Sequence, residues 1–360
     1  MFIIDAHEDL AWNMATFGRD YSTSASTIRS KEASSIVQEQ CEDTLLGWED
    51  YKRGEVWMVF STLFASPVRR KIGDWDNQCY STTAEASILY RQQLNSYRRL
   101  CEQNPDKFRL LDTIADVTDL LDNRRNRGTI GSVVGLVVLM EGGEAIGHPS
   151  ELDEWWGAGV RIIGPAWAGT RFCGGTGEPG GLTEEGFALL DSMGDLGFCL
   201  DISHMDEQAA LQALDNYSGL VIASHANVKS LLEGIANNRH LSDQVIRMLI
   251  QRDGMIGIVP VNNFLKVGWK RGDPREEVPL DSVMAHIDYI CQLAGDAYHV
   301  GFGTDFDGGF GVQSAPEGID TIADLQKFIP LLSNKGYSQE DVQAIMGGNW
   351  LSKVQHVLPE

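Results

Sequence analysis

The sequence predicts an α/β protein with a (β/α)₈ TIM-barrel fold. Eight short apolar runs, rich in Val, Ile and Phe, recur along the chain, and helical patterns separate most of them. Runs that are apolar almost throughout are typical of strands buried on both faces of a parallel sheet. Eight such strands alternating with helices favour a closed barrel. The runs are 2–5, 56–65, 135–141, 160–167, 198–204, 220–225, 255–264 and 299–306.

The helical segments carry their own start and stop signals. Residues 182–197 read LTEEGFALLDSMGDLG, in which Thr183 is a candidate N-cap and Gly197 a candidate C-cap. Residues 83–103 form a long helical pattern that ends before Asn104 and Pro105. Further helices are expected at 205–216, 242–253, 280–295 and 338–358.

The regular alternation predicts one barrel domain over residues 1–360 rather than two domains. A long polar insertion, at about residues 10–50, follows the first strand, and a second one, 265–279, follows the seventh. Loops of this length usually carry function or cover a site.

The charge balance excludes some classes of partner. The chain has 29 basic and 51 acidic residues, which give a net charge of −22. We therefore expect neither nucleic acid nor an anionic membrane surface as a partner, because both attract basic patches. The six cysteines form no CxxC pair, no apolar run reaches the length of a membrane span, and the N-terminus has no secretory signal pattern. These features predict free thiols and a cytoplasmic protein.

Imidazole and carboxylate side chains end five of the eight apolar runs. Such groups are costly to bury unless they are paired or bind a cation. Because the carboxyl ends of barrel strands meet at one mouth, the pattern predicts a two-metal hydrolase site there. The six residues are His7, Asp9, Glu141, His204, His225 and Asp305.

The spacing of these residues suggests their roles. His7 and Asp9 are two positions apart, so their side chains point the same way and suit one ion, although H-x-D strings also occur by chance. Glu141 could bridge two ions, with His204 and His225 completing the second shell. Two ions about 3.5–4 Å apart can share a hydroxide and polarise a carbonyl.

One aspartate ends the last predicted strand, and a second lies two residues further on. Asp305 is placed to take a proton from the bridging water and pass it to a leaving amine. Asp307 has the same parity, but a turn or a hydrogen bond to a ligand histidine is its simpler interpretation.

Other motifs give weaker signals. Gly175 to Gly180 matches GxGxxG, but Pro179 stands where a helix should begin, so we expect a flexible loop. The Ser203–His204 and Ser224–His225 pairs are adjacent on predicted strands and should point to opposite faces, which excludes a nucleophile–base dyad. Four more histidines are expected to be structural: His148, His286, His299 and His356.

With these motifs in order, the chain resembles the membrane (renal) dipeptidase family, peptidase family M19, of the amidohydrolase-like barrels. The resemblance extends from about residue 2 to about residue 350 and fades in the two insertions. The segments that carry it are DAHEDL, MEGGEAI, GLTEEGFALLDSMGDLGFCLDISHM, VIASHANV, NNRHLSDQVI and GFGTDFDGG.

The resemblance implies a metallo-dependent hydrolase with two divalent ions per chain, zinc by expectation. One ion is held by His7, Asp9 and Glu141, and the other by Glu141, His204 and His225. Asp305 handles the proton in this scheme. Arg239, which residue patterns alone would leave as a loop charge, binds the terminal carboxylate of the substrate, because guanidinium pairs with carboxylate bidentately.

The chain departs from the family at the fourth strand. The family often has L-T-H there, and its histidine helps to stabilise the oxyanion, whereas this chain has GPAW and places Trp167 at that position. An indole N–H donates one hydrogen bond but carries no charge. Trp167 is therefore expected to be a substrate-binding residue. It does not change the predicted hydrolase class, but it leaves open which amide the enzyme cleaves.

The function expected from the sequence is hydrolysis of dipeptides or similar small amides by attack of metal-bound hydroxide. A related hydrolase of N-acyl amino acids, lactams or esters is the first alternative. A metal-stabilised binding protein without turnover is the second. A small-molecule substrate is the expected partner, and homodimer formation stays open.

Overall fold

In a computed structural model that describes residues 1–127 and 133–360, eight parallel strands close into a barrel. The strands are β1 (Ile3–Glu8), β2 (Val56–Phe64), β3 (Val134–Glu141), β4 (Val160–Gly164), β5 (Cys199–Asp201), β6 (Val221–Ala223), β7 (Met255–Ile258) and β8 (Val300–Phe302). Each pairs with its successor, and β1 pairs with β8, with Asp5 opposite Phe302, so the sheet has no open gap. The predicted (β/α)₈ barrel is confirmed.

The longest pairing in the barrel joins β2 and β3. It runs in unbroken register from Met58 opposite Gly135 to Phe64 opposite Glu141. All eight residues of β3 are buried, as expected for an inner parallel strand that is covered on both faces. This register fixes how far Glu141 reaches into the mouth of the barrel.

Most predicted strands are longer than the observed ones. Strand β5 ends at Asp201 and β6 at Ala223, whereas the apolar runs continue to His204 and His225. The apolar character persists because these residues stay buried beyond the last ladder hydrogen bond. Several metal-site candidates therefore lie in the first turns after their strands.

Helices cover the outside of the barrel. The helix after β4 spans Glu184–Leu196, with Thr183 accepting a hydrogen bond from the Gly186 amide and Gly197 in the left-handed conformation, which confirms both caps. The helices are Leu10–Phe17, Ala25–Glu32, Ile36–Cys41, Trp48–Arg53, Thr83–Gln103, Ile114–Arg127, Leu152–Gly157, Glu184–Leu196, Glu207–Asn216, Asp243–Gln251, Asn262–Leu265, Leu280–Ala294, Phe328–Lys335, Gln339–Gln343 and Asn349–Val357.

Two local predictions need correction, and one short strand was not predicted. A π-helical turn at Ala344–Gly348 interrupts the helix expected over 338–358. The segment expected to be a flexible loop at Gly175 is an antiparallel hairpin of Cys173–Gly175 and Glu178–Leu182. A short strand, Phe108–Leu110, pairs with β3, although its few apolar residues gave no strand signal.

The insertion after β1 folds into four short helices. Within the described part of the chain, no helix combines the length and the hydropathy needed to cross a lipid bilayer.

Candidate metal centre and active site

The six strand-end residues meet at the mouth of the barrel. Their potential ligand atoms form three overlapping groups, each with all atoms within 4.8 Å of one another. The groups are His7, Asp9 and Glu141; Glu141, His204 and His225; and His7, His225 and Asp305. The structure therefore brings together every metal-site and proton-transfer residue that the sequence indicated.

Glu141 lies at the centre of the cluster and faces histidines with both carboxylate oxygens. Its Oε2 is 3.5 Å from Nε2 of His7. Its Oε1 is 2.9 Å from Nε2 of His204 and 3.4 Å from Nε2 of His225. One carboxylate thus faces two separate imidazole sets, which is the arrangement that a bridging ligand requires.

A serine and an aspartate orient two of these histidines. The Ser224 hydroxyl donates to Asp201 at 2.5 Å, so its oxygen is left to accept from Nδ1 of His225 at 2.8 Å and Nδ1 of His7 at 3.2 Å. With a proton on each Nδ1, both Nε2 atoms present lone pairs to the cluster. The Ser203 hydroxyl also donates to Asp201, at 2.6 Å.

This contact corrects the expectation that Ser224 and His225 point to opposite faces. Both residues follow the end of β6, where strand alternation no longer holds. The backbone there is tightly enclosed, because a Cβ atom added to Gly257 or Gly303 would lie 1.9 or 1.7 Å from the Ser224 carbonyl oxygen. The pair is still no nucleophile–base dyad, since Ser224 donates its proton to Asp201.

Two threonines position the remaining ligands. The Thr62 hydroxyl donates to Oδ1 of Asp9. The Thr176 hydroxyl lies 2.9 Å from Nδ1 of His204, so the Nε2 atom of that ring faces Glu141. Neither these threonines nor Ser224 and Asp201 were expected at the site from the sequence. Asp201, an acid inside the apolar run FCLDISH, carried the only signal by which it could have been found.

The electrostatics of the cluster favour a bound cation. Burial opposes a charge on His7, yet the neighbouring Glu141 carboxylate raises the pKa of His7 to about 9. Burial lowers the pKa of His204 to about 4, and it also lowers that of His225. The carboxylates therefore stabilise positive charge at their centre, while two imidazoles stay neutral and able to ligate.

One buried ligand atom has no other partner. Nε2 of His7 is buried and makes no hydrogen bond within the described ranges 1–127 and 133–360. A metal ion, in place of the proton that Glu141 otherwise favours on His7, would satisfy this nitrogen. Imidazole with carboxylate is a donor set that suits zinc. The residues present thus fit the divalent ions that the sequence predicts.

A cavity of about 370 Å³ opens onto the cluster. Asp9, Glu141, His204 and Asp305 form part of its wall. The apolar part of the wall consists of aromatic and aliphatic side chains: Trp12, Phe64, Ile72, Trp167 and Phe264. A cavity of this size accepts a small molecule and would exclude a folded protein chain.

Arg239 and Trp167, the two residues predicted to bind substrate, both line this cavity. The Arg239 guanidinium is buried and donates to the backbone carbonyls of Ser203 and His225, each at 2.9 Å. It is thereby fixed beside the metal ligands, and its other guanidinium N–H groups donate no hydrogen bond to the described residues. The Trp167 ring packs edge-on against Phe64, with 5.0 Å between ring centroids.

Two of the four histidines that were expected to be structural accept backbone hydrogen bonds outside the metal cluster. Nδ1 of His148 accepts from the Ser150 amide at the start of a short helical turn, and Nδ1 of His286 accepts from the Val228 amide.

A family model for membrane dipeptidase, peptidase family M19, matches residues 1–357 of the chain. A Klebsiella pneumoniae protein described as an uncharacterised protein in the pqqA 5′ region is 29% identical over 276 residues, which are 74% of this chain and 95% of that protein. An uncharacterised dipeptidase of Schizosaccharomyces pombe is 27% identical over 310 residues, which are 83% of this chain and 69% of that protein.

Solved structures share the fold. The metallopeptidase described as dipeptidase AC, of family M19, has a TM-score of 0.80 at 22% identity and covers 100% of this chain and 99% of its own. A Rhodobacter sphaeroides metallopeptidase, liganded with a phosphinate mimic of the dipeptide L-Ala-D-Ala, has a TM-score of 0.79 at 21% identity, with 99% of both chains covered. The family match covers nearly the whole chain. The chain belongs to the membrane dipeptidase family, peptidase family M19, and is a metal-dependent peptide-bond hydrolase.

Proposed function

We propose that this protein binds two zinc ions at the mouth of the barrel and hydrolyses dipeptides that carry a free terminal carboxylate. The central observation is Glu141, whose Oε2 faces His7 while its Oε1 faces His204 and His225. In this proposal Asp9 and His7 complete one ligand set, with Glu141 shared between the two. When bound, such ions supply a water-derived nucleophile at neutral pH and polarise the scissile carbonyl.

Asp305 would move the proton. Its Oδ1 is 3.9 Å from Nε2 of His7, and burial raises the pKa of its carboxyl well above the usual range. It lines the cavity, so a substrate nitrogen can reach it. A carboxyl placed between the ligands and the cavity can accept a proton from water and donate it to the leaving amine.

Arg239 would hold the substrate carboxylate. Its backbone hydrogen bonds fix the guanidinium plane at the cavity wall, so binding an anion costs little side-chain entropy. In an acidic chain, a fixed local cation is required to attract a carboxylate.

Trp167 favours a second candidate function within the same class. An apolar indole at this wall supplies no charge to a developing oxyanion, and it presents a flat surface to an acyl chain. N-acyl amino acids, lactams or esters are therefore the competing substrates.

Metal content and turnover measured on the same sample test the proposal. We expect about two divalent ions per chain and hydrolysis of dipeptides in a panel that includes both stereochemistries at the second residue. N-acyl amino acids and lactones in the same panel test the second candidate. Active enzyme with a reproducible metal content near zero would contradict the proposed site, and turnover confined to the acyl substrates would replace the proposed substrate.

The proposal also includes a cytoplasmic location, supported by the six cysteines, all of which are free thiols. Cell fractionation tests it, and recovery in the exported fraction would contradict it.

We also propose that the protein forms a homodimer, which light scattering can test. A mass of one chain at working concentration would contradict it.

A further inference from the structure

The segment after β2 folds over the cavity and supplies part of its wall. Ser66–Pro67 pairs with Cys79–Tyr80, so the two ends of the segment are held together. Between them, Arg70, Ile72 and Asp76 all line the cavity. The segment therefore places one acid on the substrate side of the barrel mouth, apart from the metal cluster.

Asp76 is buried with unused hydrogen-bonding capacity. Its side chain lies in a residue that is only 2% exposed, and Oδ1 has no hydrogen-bond partner within the part of the chain that the structure describes. Among the described residues, its Oδ2 accepts the amide of Ile72 at 3.4 Å, and the Cys79 thiol is a further neighbour of the carboxylate. A buried carboxylate in this state is costly and requires a donor or a cation.

The backbone around Asp76 is fixed. Its amide donates to the Gly73 carbonyl at 3.1 Å, and its carbonyl accepts from the Cys79 thiol at 3.7 Å. The preceding Trp75 stacks on Phe17 with 5.4 Å between ring centroids. The carboxylate is therefore held in place beside the cavity.

Neighbouring cations do not neutralise this acid. Arg70, in the same segment, is engaged by Glu178 at 3.1 Å. Across the described residues, Asp76 makes no ion pair within 4.0 Å with a Lys, Arg or His, and it belongs to none of the metal-ligand groups. A single carboxylate with no second ligand suits an ammonium ion better than a metal.

We propose that Asp76 accepts hydrogen bonds from an ammonium group of the substrate and so selects dipeptides that carry this group over acyl analogues that lack it. The inference rests on the proposed function and names the charge of its substrates. Dipeptides offer this group as the α-amine or as a lysine side chain. Trp12 and Ile72, on the same cavity wall, would contact the adjoining alkyl carbons.

Two pairs of substrates, whose members differ only by the presence of one amine, test the proposal and separate the two ammonium sources. Alanyl-D-alanine is compared with propanoyl-D-alanine, and lysyl-alanine with norleucyl-alanine, on the zinc-loaded wild type and the D76N variant. Hydrogen bonds to charged groups contribute about 1.5–3 kcal/mol, so D76N should reduce the preference for the amine about ten- to a hundredfold. Loss in the first pair identifies the α-amine, and loss in the second identifies the side chain.

D74N is the matched control, since Asp74 is an exposed acid of the same segment outside the cavity wall. It should preserve both preferences. Unchanged preferences in D76N, or equal losses for the partners with and without the amine, would overturn the proposal.

A binding measurement separates this inference from the proposed function. Phosphinate analogues of alanyl-alanine, with the amine and without it, are titrated calorimetrically against both proteins. A wild type that hydrolyses no dipeptide but prefers the amine probe, with the preference lost in D76N, would refute the proposed function and support the Asp76 site. If the wild type hydrolyses dipeptides and the preference for the amine probe is unchanged in D76N, the proposed function is supported and the Asp76 site is refuted.

Discussion

Asp305 and Asp307 lie two residues apart after the last strand, and both have a left-handed backbone, with φ of 58° and 64°. Oδ2 of Asp307 accepts from Arg19 at 3.0 Å and from Tyr21 at 2.8 Å, and Oδ1 accepts from the Leu45 amide at 2.9 Å. The Asp305 carboxylate accepts no hydrogen bond from the described residues and faces the cavity. An acid whose oxygens are all satisfied holds the fold together, whereas an acid left unsatisfied at a cavity is available for chemistry.

The largest effect should come from the unsatisfied acid. Asp305→Asn keeps the shape of the side chain but removes proton transfer, so kcat should fall about 10²- to 10⁴-fold. Metal content and the unfolding midpoint should stay near the wild-type values. Unchanged turnover in the metal-loaded variant would remove Asp305 from the reaction.

Asp307→Asn should instead break the fold around the insertion. The amide would place a donor against the Arg19, Tyr21 and Thr44 donors and leave a buried guanidinium short of a partner. We expect a loss of about 3–5 kcal/mol in the free energy of unfolding, measured by denaturant titration. Protease cleavage within residues 10–50 should rise. Full stability with lost turnover would reverse the roles assigned to the two aspartates.

Ser224→Ala tests whether a residue that hydrogen-bonds to the metal ligands, without being a ligand itself, affects the affinity of the site for metal. It removes the shared acceptor of His7 and His225, so affinity for zinc should fall about 10- to 100-fold in a chelator competition. Ser230, an exposed serine that pairs with Asp243, offers a control in Ser230→Ala. Equal affinities in wild type and Ser224→Ala would show that the ring orientations are set elsewhere.

The smallest effect is expected for Arg239→Lys, which retains the charge and loses the bidentate geometry. KM should rise about tenfold for substrates with a free carboxylate, which is the loss of one charged hydrogen bond. Substrates with a carboxamide in its place should change much less. Equal changes for both would assign Arg239 to the fold alone, through its hydrogen bonds to Ser203 and His225.

The same contrast explains which parts of the site could be predicted from the sequence. The barrel and all six cluster residues could be predicted from the sequence. Charged groups at the ends of apolar runs stand out, because a purely structural strand would have apolar residues there. Arg239 could be assigned only through the family resemblance, since a loop arginine violates no pattern. Asp76 gave no signal at all, because its significance depends on hydrogen bonds that it lacks.

The remaining misses have physical causes. A contact between Ser224 and His225 was not expected, because strand alternation was assumed to continue beyond Ala223, the last residue of β6. Helix Ile114–Arg127 was overlooked, although Val117, Leu120 and Leu121 are buried at helical spacing. Strand Phe108–Leu110 was overlooked because three residues are too few to show a strand pattern. Local sequence encodes periodicity well, but it does not encode which distant group completes a contact.

The hydroxyl of Ser224 links His7 to a residue 217 positions later in the chain. His7 belongs to the first strand, which takes its place in the closed barrel only after it has paired with the eighth. During synthesis, an emerging chain would therefore expose His7 and Asp9 long before Ser224 and His225 exist. Full zinc affinity should arise as one of the last events of folding, so acquisition of metal would report that the barrel has closed.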